Sequence, residues 1–174
     1  MAIPFPTQSA LHLRHSTTKR PPRSLVMKTL KLKTLFLLGY IGFSTAFAAD
    51  AIYTPWHNNL AIKGYDSVAY FTLNKAIKGD TSHSFEWQGA NWLFSSAENK
   101  ALFVASPETY APQYGGYCAY AVAKNSVAGV DPTQFTIHEG KLYLNYSQKI
   151  QSQWLQQKEA FIAEADKNWP NVLE

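Results

Sequence analysis

The chain has 174 residues, 46% hydrophobic and 14% aromatic, with a formal charge of +4. All of that excess lies in residues 1–49, which carry seven basic residues and no acid; the remainder has nine lysines, no arginine and twelve acids, a net charge of −3 with histidines neutral. Nucleic-acid binding through a basic surface is therefore excluded as an explanation of the net charge.

Residues 1–26, with Pro4, Pro6, Pro21 and Pro22 among scattered bases, have no helical or strand period. They read as a mis-assigned translation start or an acid-free targeting extension, with an organellar transit peptide as the competing reading. From Met27, "MKTLKLK" is a basic stretch, "TLFLLGYIGF" an apolar one, and Ala46-Phe47-Ala48 gives the small-x-small pattern of a signal-peptidase site. Residues 27–48 are thus read as a secretion signal cut before Ala49, because the apolar run falls short of the ~20 residues that span a bilayer. No membrane anchor is expected after cleavage, and the expected location is periplasmic or secreted.

Residues 49–174 suffice for one domain with a single core. "GYDSVAYF" (64–71) alternates, and is aromatic and β-branched enough, to be read as a strand. "SFEWQGANWLFSS" reads as a hairpin around Gln88-Gly89-Ala90-Asn91. Ser95 with Glu98 three positions on reads as a capping box that opens a helix through Leu102 and Phe103. Ser106-Pro107 opens a further turn. After Gly115-Gly116, the alanine-rich Tyr117–Lys124 reads as a short helix, with a buried strand as the alternative. "QFTIHEGKLYLNY" is a second hairpin with Glu139-Gly140 at its turn. Ser147 caps a long helix to about Lys167, whose Ile150, Trp154, Leu155, Phe161, Ile162 and Ala165 share one stripe, and Trp169-Pro170 ends it. No internal repeat is read. The sum is an α+β domain: short antiparallel hairpins, packed helices and a long amphipathic C-terminal helix.

The spacing of "GYDSVAYF", "NWLFSSAENKALF" and "SPETY" resembles the YHS domain family. Asp66, Val68, Phe94, Phe103, Pro107, Glu108 and Tyr110 stand in register with its frame, and the whole stretch from residue 49 looks like the family's exported branch. The resemblance implies a small binding module and, through the family's cysteines, metal binding. By the same register those cysteine positions here hold Ala69, Ser95 and Asn99. Alanine offers no donor, and serine and asparagine suit a soft ion poorly, so the frame is carried over without the thiol metal site.

Cys118 is the chain's one cysteine. An unpaired thiol in an exported chain has three readings: a buried small apolar residue, a ligand or redox thiol, or one half of an intermolecular disulfide. His57, His83 and His138 are the imidazoles left after cleavage. None is spaced three or four residues from another, so a mixed copper or zinc site with Cys118 would have to be assembled by the fold. His57 is favoured because Trp56 stands beside it, whereas His83 and His138 read as exposed. The tyrosines around Gly115-Gly116, Tyr114 and Tyr117 foremost, are the first place to seek a polar pocket. Asp66 reads as a structural residue bonding the local backbone. No Gly-x-Ser-x-Gly, Cys-x-x-Cys, Walker or Rossmann pattern occurs, so no catalytic constellation is recognised. The leading expectation is an exported, non-enzymatic module that binds a metal ion or small molecule through Cys118, His57, Tyr114 or Tyr117. The alternatives are an envelope interaction domain and a thiol enzyme or redox sensor using Cys118.

Overall fold

Two hairpins form where the turn residues call for them. β1 (Asp80–Trp87) and β2 (Ala90–Phe94) are joined by Gln88-Gly89, and β3 (Asp131–His138) and β4 (Lys141–Asn145) by Glu139-Gly140. Both residues of each turn have positive φ, 49° and 76° in the first and 50° and 71° in the second. This is the two-residue turn whose twist matches that of the strands it joins. The computed structural model describes residues 49–174, so the leader segments expected over 1–26 and 27–48 lie outside the described residues.

The helices pack on these hairpins, and one of them overturns an expectation. Residues 64–71 do not form a strand: helix α1 spans Ser67–Leu73, with Asp66 as its N-cap. The Asp66 Oδ1 accepts from the amides of Val68 at 2.9 Å and Ala69 at 3.2 Å, meeting donors that a helix start leaves orphaned. Ser67, Val68, Ala69 and Tyr70 are all buried, so the first turn of α1 has no polar face and no 3.6-residue period shows in the sequence.

Helix α2 (Ala97–Ala105) begins one residue later than expected. Ser96, not Ser95, is the cap, its Oγ accepting from the Asn99 amide at 3.2 Å. The short α3 (Pro107–Tyr110) opens on its proline, and α4 (Ala119–Ala123) follows the glycine pair. Ser147 caps α5 (Gln148–Gln156), which passes at Gln157 (φ −138°, ψ 42°) into α6 (Lys158–Asn168). Across that bend Trp154 and Ala165 both reach the core, while Leu155 of the same stretch stays 48% exposed.

The described domain repeats one unit, contrary to the reading of no repeat. A turn of consecutive left-handed residues (Ile62 and Lys63; Tyr114 and Gly115) leads into a short helix, a hairpin with a Gly at its turn and a serine-capped helix. Equivalent bonds recur: Tyr65 N to Ile62 O and Tyr117 N to Tyr114 O, then Asp66 N to Ile77 O and Cys118 N to Ala128 O. In both hairpins the register shifts after the first aspartate, and Asp80 and Asp131 each accept from a hydroxyl residue two positions on. The copies set Gly64, Tyr65, Asp66 and Phe103 against Gly116, Tyr117, Cys118 and Trp154.

Each copy has its own aromatic centre. In the first, Phe103 packs against Trp92, Phe94 and Trp87 at ring-centroid distances of 4.8, 5.1 and 5.6 Å. In the second, Trp154 packs on Tyr143 at 5.4 Å, and Trp169 and Tyr143 flank Tyr114. The segment from Ala49 ties the ends together. Ala49 N donates to Leu173 O at 2.7 Å, and Tyr53 N to Gly115 O at 2.8 Å. The crossing needs Gly115, since a Cβ there would run into the Ala51 carbonyl oxygen and its φ is +59°.

Candidate ligand-binding groove

Cys118 lies at the N-terminal boundary of α4 and is 1% exposed. Its Sγ–H points to Asn145 Oδ1 at 3.7 Å, and Asn145 is itself fully buried. The burial reading fits this placement, since a thiol acting as donor to a buried amide is packed as a small core residue. Above it lies a shallow apolar recess of about 260 Å³, bounded by Tyr120, Ala121, Ala128, Tyr146 and Ile150.

Tyr114 borders a separate recess of about 350 Å³ with Gln113, Glu108 and Trp169, but most of its side chain is packed away. It is 5% exposed, and its hydroxyl donates to Asp166 Oδ1 at 2.8 Å. Burial, followed by the Asp166 carboxylate, pushes its phenol well above the ordinary range. Tyr117 is 6% exposed and donates to the Asp50 carbonyl at 2.8 Å. Burial foremost also raises its phenol, so it is a neutral donor at physiological pH.

The three positions that the resemblance marks for cysteines do converge, on the carboxylate of Asp66. Asp66 is fully buried. While Oδ1 caps α1 through the amides of Val68 and Ala69, Oδ2 accepts from Ser95 N at 2.8 Å, Ser95 Oγ at 2.6 Å and Asn99 Nδ2 at 2.7 Å. Five hydrogen bonds thus satisfy the buried charge. Ser95, expected to cap α2, instead ties that helix's entrance to α1. The equivalent positions of the second copy are Cys118, Tyr146 and Ile150, where no such clasp can form.

The other sequence candidate, His57, lies in a different place from Cys118. It is exposed and lines a groove of about 960 Å³ whose walls include Tyr53, Trp56, Lys63, Lys78 and Tyr117. Trp56 does not shelter it: the indole is 97% exposed and touches the imidazole edge-on at 5.5 Å between ring centres. The back wall is rigid, with Tyr53 packed on Tyr117 at 5.3 Å and the Tyr53 amide bonded to Gly115. Lys63 enters the groove from a left-handed turn, with Ile62 at φ 49° and Lys63 at φ 53°. A β-branched residue rarely occupies that region. Here the turn is held by Lys78 Nζ donating to Lys63 O at 3.0 Å, with the ammonium 4.3 Å from the Tyr65 ring centre. The groove therefore joins two of the four sequence candidates, His57 and Tyr117, and leaves Cys118 and Tyr114 outside it. Lys63, Lys78 and Tyr53 carried no local motif that would have singled them out.

His83 on β1 and His138 at the end of β3 are both half-buried, not exposed as read from the sequence. His138 Nε2 lies 3.9 Å from Glu159 Oε1. Among the described residues, no group of three or more His, Cys, Asp or Glu is placed to hold a metal ion. No described helix is long and apolar enough to cross a membrane. Comparison with protein-family models, with curated proteins and with solved structures finds no match.

Proposed function

We propose that the chain is a small exported binding module, of the type its sequence resembles, that takes a small organic ligand in the groove between Trp56, His57 and Tyr117. One observation carries the reading: a groove of about 960 Å³ brings together His57 and Tyr117, sixty positions apart in sequence, beside an indole that is 97% exposed. An indole left in water forgoes about 4–6 kcal/mol of burial, at ~25 cal/mol per Å² over its ~150–250 Å². The flat face of a ligand recovers part of that. The volume suits a single small molecule, and the packed Tyr53–Tyr117 wall supplies a preformed surface. Binding is the reading favoured here because the chain's one thiol lies outside the groove. Cys118, the sole thiol, is turned inward to Asn145. Export rests on the leader's composition and on its expected cut before Ala49, the residue whose amide closes the domain against Leu173.

The test is a fluorescence titration of the protein with a panel of small aromatic molecules, run in parallel on Trp56→Phe. A saturable quench of the exposed indole that disappears in the variant supports the proposal. Quenching that rises linearly without saturation, or that persists unchanged in Trp56→Phe, rules the groove out.

A further inference from the structure

The ligand class can be read from the groove's charge, and this inference rests on the groove being the binding site. Residues 49–174 carry a net charge of −3, so a solvated surface of this domain presents carboxylates more often than ammonium groups. The groove departs from that balance. Lys63 and Lys78 both line it, with His57 beside them, against the single carboxylate of Asp50. The ion pairs among the described residues use Lys158, Lys167 and His138, and neither groove lysine takes part in one.

Lys78 is pre-positioned. One of its protons is given to the Lys63 carbonyl, and the Tyr65 ring fixes the ammonium from one side. Two of its three donors remain for an incoming acceptor. Lys63 projects from the left-handed turn. From outside the groove the Asp131 carboxylate feels the Lys63 charge, and it accepts from the amide and hydroxyl of Thr133. Asp50 sits at the Ala49 end, where its main-chain carbonyl is taken by Tyr117. Trp56 and Tyr53 line the same groove.

Two ammonium groups and two aromatic rings lining one groove match one kind of small molecule. The geometry points to a small aromatic carboxylate as the ligand, its acid group between Lys63 and Lys78 and its ring against Trp56 and Tyr53. The lysines supply charge-assisted hydrogen bonds, and the rings supply stacking that a purely ionic site would lack. His57, edge-on to Trp56, adds a ring N–H donor.

The experiment uses two matched probes, 4-phenylbutyrate and its neutral isostere 4-phenylbutyramide, titrated calorimetrically into the protein and into Lys63→Gln. The acid is expected to bind about tenfold more tightly than the amide, the order two exposed ion pairs provide. Raising salt from 50 to 500 mM should erase most of that preference. Lys63→Gln should weaken the acid several-fold and leave the amide unchanged. Equal affinity for acid and amide would overturn the carboxylate class while leaving the groove as a binding site. Absence of binding by both probes, together with no aromatic molecule quenching Trp56, would overturn the groove reading itself. The wild-type acid-to-amide ratio needs no variant, so the inference stays testable even if Lys63→Gln folds poorly.

Discussion

Replacing Asp66 tests how the first repeat is held together. The buried carboxylate accepts five hydrogen bonds: two from α1 amides, two from Ser95 and one from Asn99. Alanine removes the helix cap, a loss of about 1 kcal/mol. It also removes three bonds to a charged acceptor, each ordinarily about 1.5–3 kcal/mol. Ser95 is exposed and Asn99 half-buried, so both recover part of that loss by turning to water. The Val68 and Ala69 amides are sealed and cannot. The expected destabilisation for Asp66→Ala is therefore about 3–5 kcal/mol, within the range for removing one partner of a buried charged network. Asp66→Asn should lose less. Its Oδ1 can keep the cap, and the Ser95 hydroxyl and the Asn99 amide oxygen can accept from its Nδ2, while the Ser95 main-chain N–H loses its acceptor. Urea unfolding followed by circular dichroism reads this directly. At ~1–3 kcal/mol per M, the alanine variant's midpoint should fall by about 2 M with the slope unchanged. A loss below about 1 kcal/mol for alanine, or equal losses for alanine and asparagine, would refute the clasp.

Four further outcomes are expected. Phe103→Ala, which empties the hub of four aromatic contacts, should lose about 3–5 kcal/mol by thermal or urea melt, whereas Phe103→Leu should lose clearly less. Gly115→Ala should destabilise by more than about 1 kcal/mol, because a Cβ collides with the Ala51 carbonyl in a left-handed backbone position. Cys118 should resist thiol reagents in the native protein and react fully in denaturant, and rapid native labelling would contradict its burial against Asn145. Tyr70, Tyr114, Tyr117 and Tyr143 all have phenols raised chiefly by burial. Because their folded values lie above the unfolded value near 10, the stability they lend is whole below about pH 10 and drains away as pH climbs above it. Absorbance near 295 nm should therefore show these tyrosines ionising together with unfolding, not in a separate native titration.

The hairpins were legible because their information is local: Gln88-Gly89 and Glu139-Gly140 sit between strands of suitable composition, and the turn chemistry needs nothing else. The serine cap of α5 was legible for the same reason. α1 was not, because burial all round its first turn erased its period and left a composition of aromatic and β-branched residues that favours a strand. The cap of α2 slipped by one residue because Ser95 and Ser96 are adjacent, and only the distant Asp66 tells them apart. The repeat was hidden by its own divergence. Asp66, Ser95 and Asn99 face Cys118, Tyr146 and Ile150, so the copies share backbone geometry while exchanging a polar clasp for an apolar recess. Of the groove, His57 and Tyr117 were singled out in sequence for other reasons. Lys63 and Lys78 were invisible because a left-handed turn and the approach to β1 bring them together, and no spacing rule links those segments.

Nuclear magnetic resonance mapping with small aromatic carboxylates tests the binding reading most directly. The expected result is saturable shifts confined to Tyr53, Trp56, His57, Lys63 and Tyr117, with the buried Trp92 and Trp154 indoles unmoved. Shifts clustered instead at Tyr120, Tyr146 and Ile150 around Cys118, or no saturable shift anywhere, would contradict it.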